Sequence, residues 1–309
     1  MKICFIGSMD FAVTILEGLH KKYGVSLVVT QPDKPVGRKQ ILTGTPVKNK
    51  ALELGIDLFQ PISIKKDNYR ILQEEFDFII VAAYGQIIPE KVLFHSKHQA
   101  INVHASYLPK YRGGSPMHKA IINGDKETGV SIIYMEKALD SGYILSQKSC
   151  PIDETDDVLA IENKLSHLGR DLLIDTIERL LQEDIIATPQ NENLVSYAYN
   201  FKNEDLLIDF KKSAKQVYDL IRGMHPWPIA YFLVDDKKVK VFKSSYEDTN
   251  LSDVIGEVVI ASKDRLAIQC SSGIINLLSL QLEGKKQMEI KDFMNGIGRT
   301  MFYNGLILK

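Results

Sequence analysis

The segment Asn102-Val103-His104-Ala105-Ser106-Tyr107-Leu108-Pro109 leaves a short apolar run and enters a loop that carries Gly113, Gly114 and Pro116. With Ala100 to His104 as a strand, Asn102 and His104 stand two residues apart and share one face. An amide donor and an imidazole are then aimed at one spot. Such a pair suits a carbonyl under attack, where each preorganised donor contributes about 3 kcal/mol to a developing oxyanion. The alternative is a hydrogen-bonded strand-end histidine beside a turn-forming asparagine. A second polar cluster, Thr128 to Gly142, reads as a strand and a loop whose Asp140 precedes Ser141 and Gly142. A carboxylate there could orient His104 and help carry the proton released by an attacking amine. Taken alone, an aspartate before Ser-Gly is commonly a loop cap. Asn102, His104 and Asp140 together make an acid/base set without a covalent nucleophile, but only a fold can bring the two clusters together.

The elements that must do so follow from the apolar pattern. Residues 3 to 6 are apolar and close on Gly7, and Phe11, Val13, Ile15, Leu16 and Leu19 then mark the buried side of a helix. The alternation continues with a strand at Val25 to Thr30, a helix near Val47 to Leu54, a short strand at Asp57 to Phe59 and a helix over Ser63 to Glu75. Asp77 to Ala82 is nearly all apolar, as central parallel strands covered on both faces are. Ala100 to His104 and Val130 to Met135 are further strands, with a helix at Ser115 to Asn123. This βαβ series predicts a Rossmann-like α/β domain with a mostly parallel sheet. Val158 to Leu181, with Leu165, Leu168, Leu172, Leu173, Ile177 and Leu180 at helical spacing, closes it. In such sheets ligands sit beyond the carboxyl ends of the strands, where the loop after His104 belongs.

The character changes after about residue 184. Thr188 to Glu192 is polar, and beyond a helix near Ala214 to Met224 five short β-rich runs follow: Tyr231–Val234, Val239–Phe242, Val254–Ile260, Leu266–Gln269 and Ile274–Leu280. They predict a small OB-like β-barrel. The expected division is a catalytic domain over 1–187, a linker over 188–206 and a barrel over 207–309. From Leu206 onward 15 Lys and Arg face 12 Asp and Glu, within a chain of net charge -1. This mild excess permits an RNA partner and does not demand one. Three scattered cysteines suggest neither a disulfide framework nor a zinc site, and a reducing cytoplasm is expected. No run has a signal peptide's core or the roughly 18 apolar residues of a spanning helix, so no membrane partner is expected. His95 and His98, without a third ligand, read as surface residues, and no metal is expected. No long heptad demands a dimer, so a monomer is expected.

The chain resembles the folate-dependent formyltransferases. The Asn102-Val-His104 element, the loop Ser106-Tyr-Leu-Pro109-Lys-Tyr-Arg-Gly and the element Leu139-Asp140-Ser-Gly match that family's signature in order and spacing. The resemblance implies a catalytic trio of Asn102, His104 and Asp140. It also implies a site for 10-formyltetrahydrofolate made by Ser106, Tyr107, Leu108 and Pro109, with backbone around Gln86, Ile87 and Ile88 holding the pterin. Thr30 to Lys39 resembles the loop with which the tRNA-formylating branch enters the acceptor arm. Ile221 to Pro228 and Leu277 to Lys286 resemble that branch's C-terminal domain. The implied partner is initiator methionyl-tRNA, met by Arg38, Lys39, Lys285 and Lys286; the alternative for these four is a solvated basic surface. Trp227, between prolines, reads as a packed anchor. Two departures stand out: Gly7-Ser8-Met9-Asp10, where the family usually has Gly-Thr-Pro-Asp, and Tyr107 in place of a leucine.

The same trio would serve an enzyme that formylates an amino-sugar nucleotide or glycinamide ribotide, or one that gives the formyl group to water. The C-terminal motifs weigh against the first of these. A nucleophilic-serine hydrolase lacks its G-x-S-x-G elbow. A dinucleotide oxidoreductase lacks the second and third glycines of its phosphate loop. A non-catalytic RNA-binding protein would not need a complete trio.

Overall fold

The apolar run after the N-terminus becomes β1 (Ile3–Gly7), buried at every position, and Phe11, Ala12, Ile15, Leu16 and Leu19 form the buried face of α1 (Asp10–Tyr23). The computed structural model describes residues 1–37 and 39–308. They form two units, one of residues 1–116, 127–151 and 162–199, the other of 117–126, 152–161 and 200–309.

In the first unit the chain continues through β2 (Leu27–Val29), a hairpin of β3 (Lys34–Val36) and β4 (Ile41–Thr43), α2 (Pro46–Glu53) and β5 (Asp57–Phe59). Then come α3 (Tyr69–Leu72), β6 (Phe78–Ala82), α4 (Glu90–Leu93) and β7 (Ile101–His104). After α5 (Pro116–Ile122) the sheet is completed by β8 (Glu127–Tyr134) and β9 (Ile144–Pro151), and α6 (Val158–Leu181) follows. The sheet order is β5-β2-β1-β6-β7-β8-β9; the first five strands are parallel, and β8 and β9 are antiparallel to their neighbours. This is the mostly parallel α/β sheet that the apolar runs predicted. Strand order reverses between β1 and β6, so the carboxyl ends of β1, β6 and β7 open a crevice along one edge of the sheet.

Two elements differ from the expectation. The helix expected over Ser63 to Glu75 shrinks to α3, because turns close on the Ser63 carbonyl and the buried Asn68 side chain donates to the carbonyls of Ile64 and Lys65. An asparagine that competes for backbone carbonyls in this way interrupts a helix. Strand β9 escaped the apolar pattern altogether. Its central residues, Ser146, Gln147, Lys148 and Ser149, are polar, as suits an edge strand with few buried positions.

In the second unit, α7 (Ala214–Gly223) starts with a capping box in which Ser213 and Gln216 satisfy each other's backbone N–H groups. The sheet of β10 (Tyr231–Val234), β11 (Lys237–Glu247), β12 (Val258–Ala261), β13 (Leu266–Gln269) and β14 (Ile274–Leu282) runs in the order β10-β11-β14-β13-β12, antiparallel throughout. A short β15 (Met288–Glu289) pairs with β14, and α8 (Ile290–Asn295) and α9 (Gly298–Met301) follow. Register shifts in β11 and β12 bend these strands. The result is a curled half-barrel of the OB-like kind. Among the described residues no pairing joins β10 to β12. Its core is built on Phe232, Val241, Ile268, Leu280 and Phe293. Arg222, from the Ile221 to Pro228 motif, is buried in an ion pair with Asp219 at 2.8 Å and also donates to the carbonyls of Asp156 and Asp153. Trp227 is 64% exposed, its ring meeting His118 edge-on and its carbonyl bonded to His118 Nε2, so it is not the packed anchor expected.

Candidate active site

Strand β7 sits between parallel β6 and antiparallel β8, with Asn102 opposite Ile133 and His104 opposite Ser131. At its carboxyl end the three residues singled out in the sequence come together. Asn102 Nδ2 lies 3.5 Å from Asp140 Oδ1, and His104 Nδ1 lies 3.7 Å from Asp140 Oδ2. His104 is buried, and Nε2 of its ring bonds the Tyr111 carbonyl at 3.0 Å. A carbonyl only accepts, so Nε2 carries hydrogen and the free edge of the ring is Nδ1, facing Asp140. Donation from that edge to an oxyanion needs a proton on Nδ1, and Asp140 is the neighbouring counter-charge.

Asp140 is held in place from several sides. Gly113 N–H donates to its Oδ2 at 2.8 Å, and Gln190 Nε2 donates to its carbonyl at 2.8 Å and to that of Gly142 at 2.9 Å. Its own backbone has φ +47, a left-handed conformation that costs energy outside glycine and persists where surroundings enforce it. Gly142 explains part of that enforcement: a Cβ there would stand 1.7 Å from the Tyr134 carbonyl oxygen, so the Asp140 loop closes only over glycine. Gln190 is oriented in turn by Arg112, which donates to its Oε1 at 3.0 and 2.8 Å and pairs with Glu192 at 2.7 Å.

The Ser106–Pro109 loop has its own anchor in Ser131 of β8. The fully buried Ser131 hydroxyl donates to the Ser106 carbonyl at 2.7 Å and accepts from Leu108 N–H at 2.9 Å. Gln147 of β9 donates to both Ser131 Oγ and the Leu108 carbonyl at 2.8 Å. Leu108 is buried, whereas Tyr107 is exposed. Gln86, Ile87 and Ile88 follow β6, so they share the sheet edge with the trio. The Gln86 amide is tied to the backbone of Ile62 and Ile64, Ile88 is buried, and Ile87 is 85% exposed.

The basic residues singled out in the sequence belong to other elements. Lys39 is exposed in the turn of the β3–β4 hairpin, and Arg38 lies outside the described residues. Lys285 and Lys286 are exposed in the turn between β14 and β15, with no ion-pair partner among the described residues. His95 bonds the Glu74 carbonyl and His98 stacks on Phe78, both half-buried. Among the described residues no group of three or more His, Cys, Asp or Glu side chains could hold a metal ion.

Sequence reasoning missed Gln190, Ser131 and Gln147. Gln190 lies 50 positions from Asp140 in a polar stretch read as a connector. Ser131 carried one signal, a serine alone in the apolar run Val130 to Ile133.

Asn102, His104 and Asp140 meet at the carboxyl end of a strand in an open α/β sheet, an arrangement suited to group transfer without a covalent nucleophile. Residues 1–177 match the formyl transferase family and residues 200–298 its C-terminal domain, so the chain belongs to that family. It is 44% identical over 297 residues to the methionyl-tRNA formyltransferase of Macrococcus caseolyticus, covering 96% of this chain and 95% of that protein. It is 42% identical to the methionyl-tRNA formyltransferase of Listeria monocytogenes, covering 97% of each. Among solved structures, an N-formyltransferase from Helicobacter canadensis, in complex with folinic acid and dTDP-3-aminofucose, superposes with a TM-score of 0.70 at 20% identity. That superposition covers 93% of this chain and 100% of the other.

Proposed function

We propose that the protein transfers the formyl group of 10-formyltetrahydrofolate to the α-amine of initiator methionyl-tRNA, giving the N-formylmethionyl-tRNA used to start translation. The observation that carries this reading is the meeting of Asn102, His104 and Asp140 at the end of β7. Its acceptor is supported by curated relatives of the same name that match nearly the whole chain.

The neutral amine attacks the formyl carbon, and the oxyanion that forms is held by the Asn102 amide and His104 Nδ1–H. Asp140 takes the proton released by the amine, through one water, and returns it to the folate nitrogen as the carbon–nitrogen bond breaks. One proton leaves the amine and one reaches the leaving group, so no net acid or base is consumed. A free α-amine titrates near roughly 7.7–8.0, and its ester is more acidic, so neutral amine is available at cellular pH.

The residues present fit a flat heterocycle with a polar edge. Exposed Ile87 offers an apolar surface, the backbone of Gln86 to Ile88 offers amide edges, and Ser106 to Pro109 continue the chain directly from His104. Arg38, Lys39, Lys285 and Lys286 bind phosphates of the tRNA, which positions the acceptor end without reading sequence. The enzyme acts as a cytoplasmic monomer; among the described residues no helix is long and apolar enough to cross a membrane.

The test is a transfer assay with formyl-labelled 10-formyltetrahydrofolate and methionine-charged initiator tRNA, beside charged elongator tRNA and a control without tRNA. Label is expected on the initiator tRNA alone. Label released as formate would make the protein a hydrolase, and label passed only to a sugar nucleotide or glycinamide ribotide would move it to another branch.

A further inference from the structure

The segment after Gln190 returns to the loop that holds the trio. Ser196 Oγ accepts from Tyr111 N–H at 3.0 Å, Arg112 N–H donates to the Ser196 carbonyl at 2.9 Å, and Ala198 N–H donates to the Arg112 carbonyl at 2.8 Å. Ser115 N–H donates to the Ala198 carbonyl at 2.9 Å, and a Cβ on Gly113 would stand 2.7 Å from that carbonyl oxygen. The same loop gives His104 its Tyr111 carbonyl and Asp140 its Gly113 N–H. Residues 196–198 therefore lie one strand spacing, about 5 Å, from the backbone that positions the chemistry.

This segment is extended and alternates. Ala198 is fully buried, whereas Tyr197 and Tyr199 are 49% and 63% exposed. Their rings lie parallel, with centroids 5.4 Å apart and an interplanar angle of 2°. Two exposed tyrosines held face to face by a pinned backbone form a flat, preorganised aromatic surface. Resting on the acceptor proposed above, we infer that Tyr197 and Tyr199 are the stacking platform for the unpaired 3′-terminal base of the tRNA. The amine that must reach the trio is joined to the terminal ribose by about four bonds and to the base by about three more, so the near edge of the terminal base lies within about 10 Å of the reacting carbon. Unpaired RNA ends are recognised by stacking on aromatic faces, and a base would stack on an outer face of the pair, since the inner faces meet each other.

The test compares the full-length protein with the Tyr197→Ala/Tyr199→Ala and Tyr197→Phe/Tyr199→Phe pairs, each checked by thermal melting. Loss of base stacking should raise KM for charged initiator tRNA about 5- to 150-fold in the alanine pair. The folate KM and the rate at saturating tRNA should stay within about twofold, and the phenylalanine pair should behave as wild type. If the alanine pair does not fold, Tyr197→Leu/Tyr199→Leu keeps apolar bulk without a π-face and should show the same tRNA defect. Uncharged tRNA with 2-aminopurine at its 3′ end should lose fluorescence on binding wild type and much less on the alanine pair. An unchanged tRNA KM overturns the platform, and a rise in folate KM instead assigns the rings to the folate. The 2-aminopurine arm needs no catalysis, so a wild-type protein that transfers nothing would sink the proposed function while the platform is still tested.

Discussion

The loop from His104 to Gly113 and the hairpin of β3 and β4 both belong to the first unit, and they are built in opposite ways. The loop is bonded at nearly every step: Ser131, Gln147, Ser196 and Asp140 each hold a piece of it, and these contacts are buried or partly buried. In the hairpin all six strand residues are exposed, and Val36, Ile41 and Leu42 present apolar side chains to solvent. Among the described residues its tip bonds only to itself, through Gly37, Gln40, Ile41 and Thr43. Only its base is anchored, where Lys48 and Gln60 bind Asp33 and Thr45 caps α2. Chemistry needs donors fixed before the charge develops, whereas a large polyanion can be met by a basic finger whose opening costs little. Tight bonding marks the region proposed to handle the reacting atoms, and exposure marks the region proposed to meet the tRNA.

The contrast can be broken at its rigid end first. Asp140→Asn keeps an acceptor for Gly113 N–H but removes the carboxylate, so single-turnover transfer should fall about 100- to 10,000-fold with little change in melting temperature. A loss of only a few fold would reduce Asp140 to a loop cap. Ser131→Ala leaves Leu108 N–H and the Ser106 carbonyl without their buried partner, a cost of about 1–3 kcal/mol. The folate KM should rise while tRNA affinity stays put, and equal losses of both would mean that the anchor supports the whole unit. At the exposed end, Arg38→Ala should weaken tRNA binding several fold and lower the salt slope of log affinity by about one. Binding titrations at several salt concentrations read this directly, and an unchanged slope returns Arg38 to the solvent.

The smallest effect belongs to the hairpin's base. Hydrogen bonds from Lys48, then Gln60, hold the Asp33 carboxyl below the usual carboxylate range. A depressed acid stabilises the fold above its unfolded pKa and loses that contribution as pH falls through its folded value. Asp33→Asn should therefore melt slightly below wild type at neutral pH and together with it in strong acid. A gap that persists in acid would mean that packing, not charge, fixes the base.

The same contrast explains what was legible in the sequence. Asn102 and His104 could be paired because strand geometry fixes residues two apart on one face, and the parallel core was legible because β1 and β6 are apolar at every position. Asp140 was legible as a residue type, but its place came from Gly142, Gly113 and Gln190, whose contributions are a missing side chain, a backbone N–H and a side chain 50 residues away. Neither apolar spacing nor charge marks such contacts. Strand β9 was missed for a related reason: it faces water for much of its length, so its sequence resembles a loop until β8 supplies hydrogen bonds. Asn68 worked the other way, interrupting a helix that the apolar spacing allowed.

The measurement closest to the centre of this account is the single-turnover transfer rate of His104→Ala at saturating charged initiator tRNA, with the dissociation constant of the tRNA measured on the same protein. Loss of a preorganised donor should lower that rate by about 100-fold or more while the dissociation constant stays within about twofold of wild type. A rate within a few fold of wild type, or a fall in tRNA affinity that matches the fall in rate, would contradict the chemical role assigned to the end of β7.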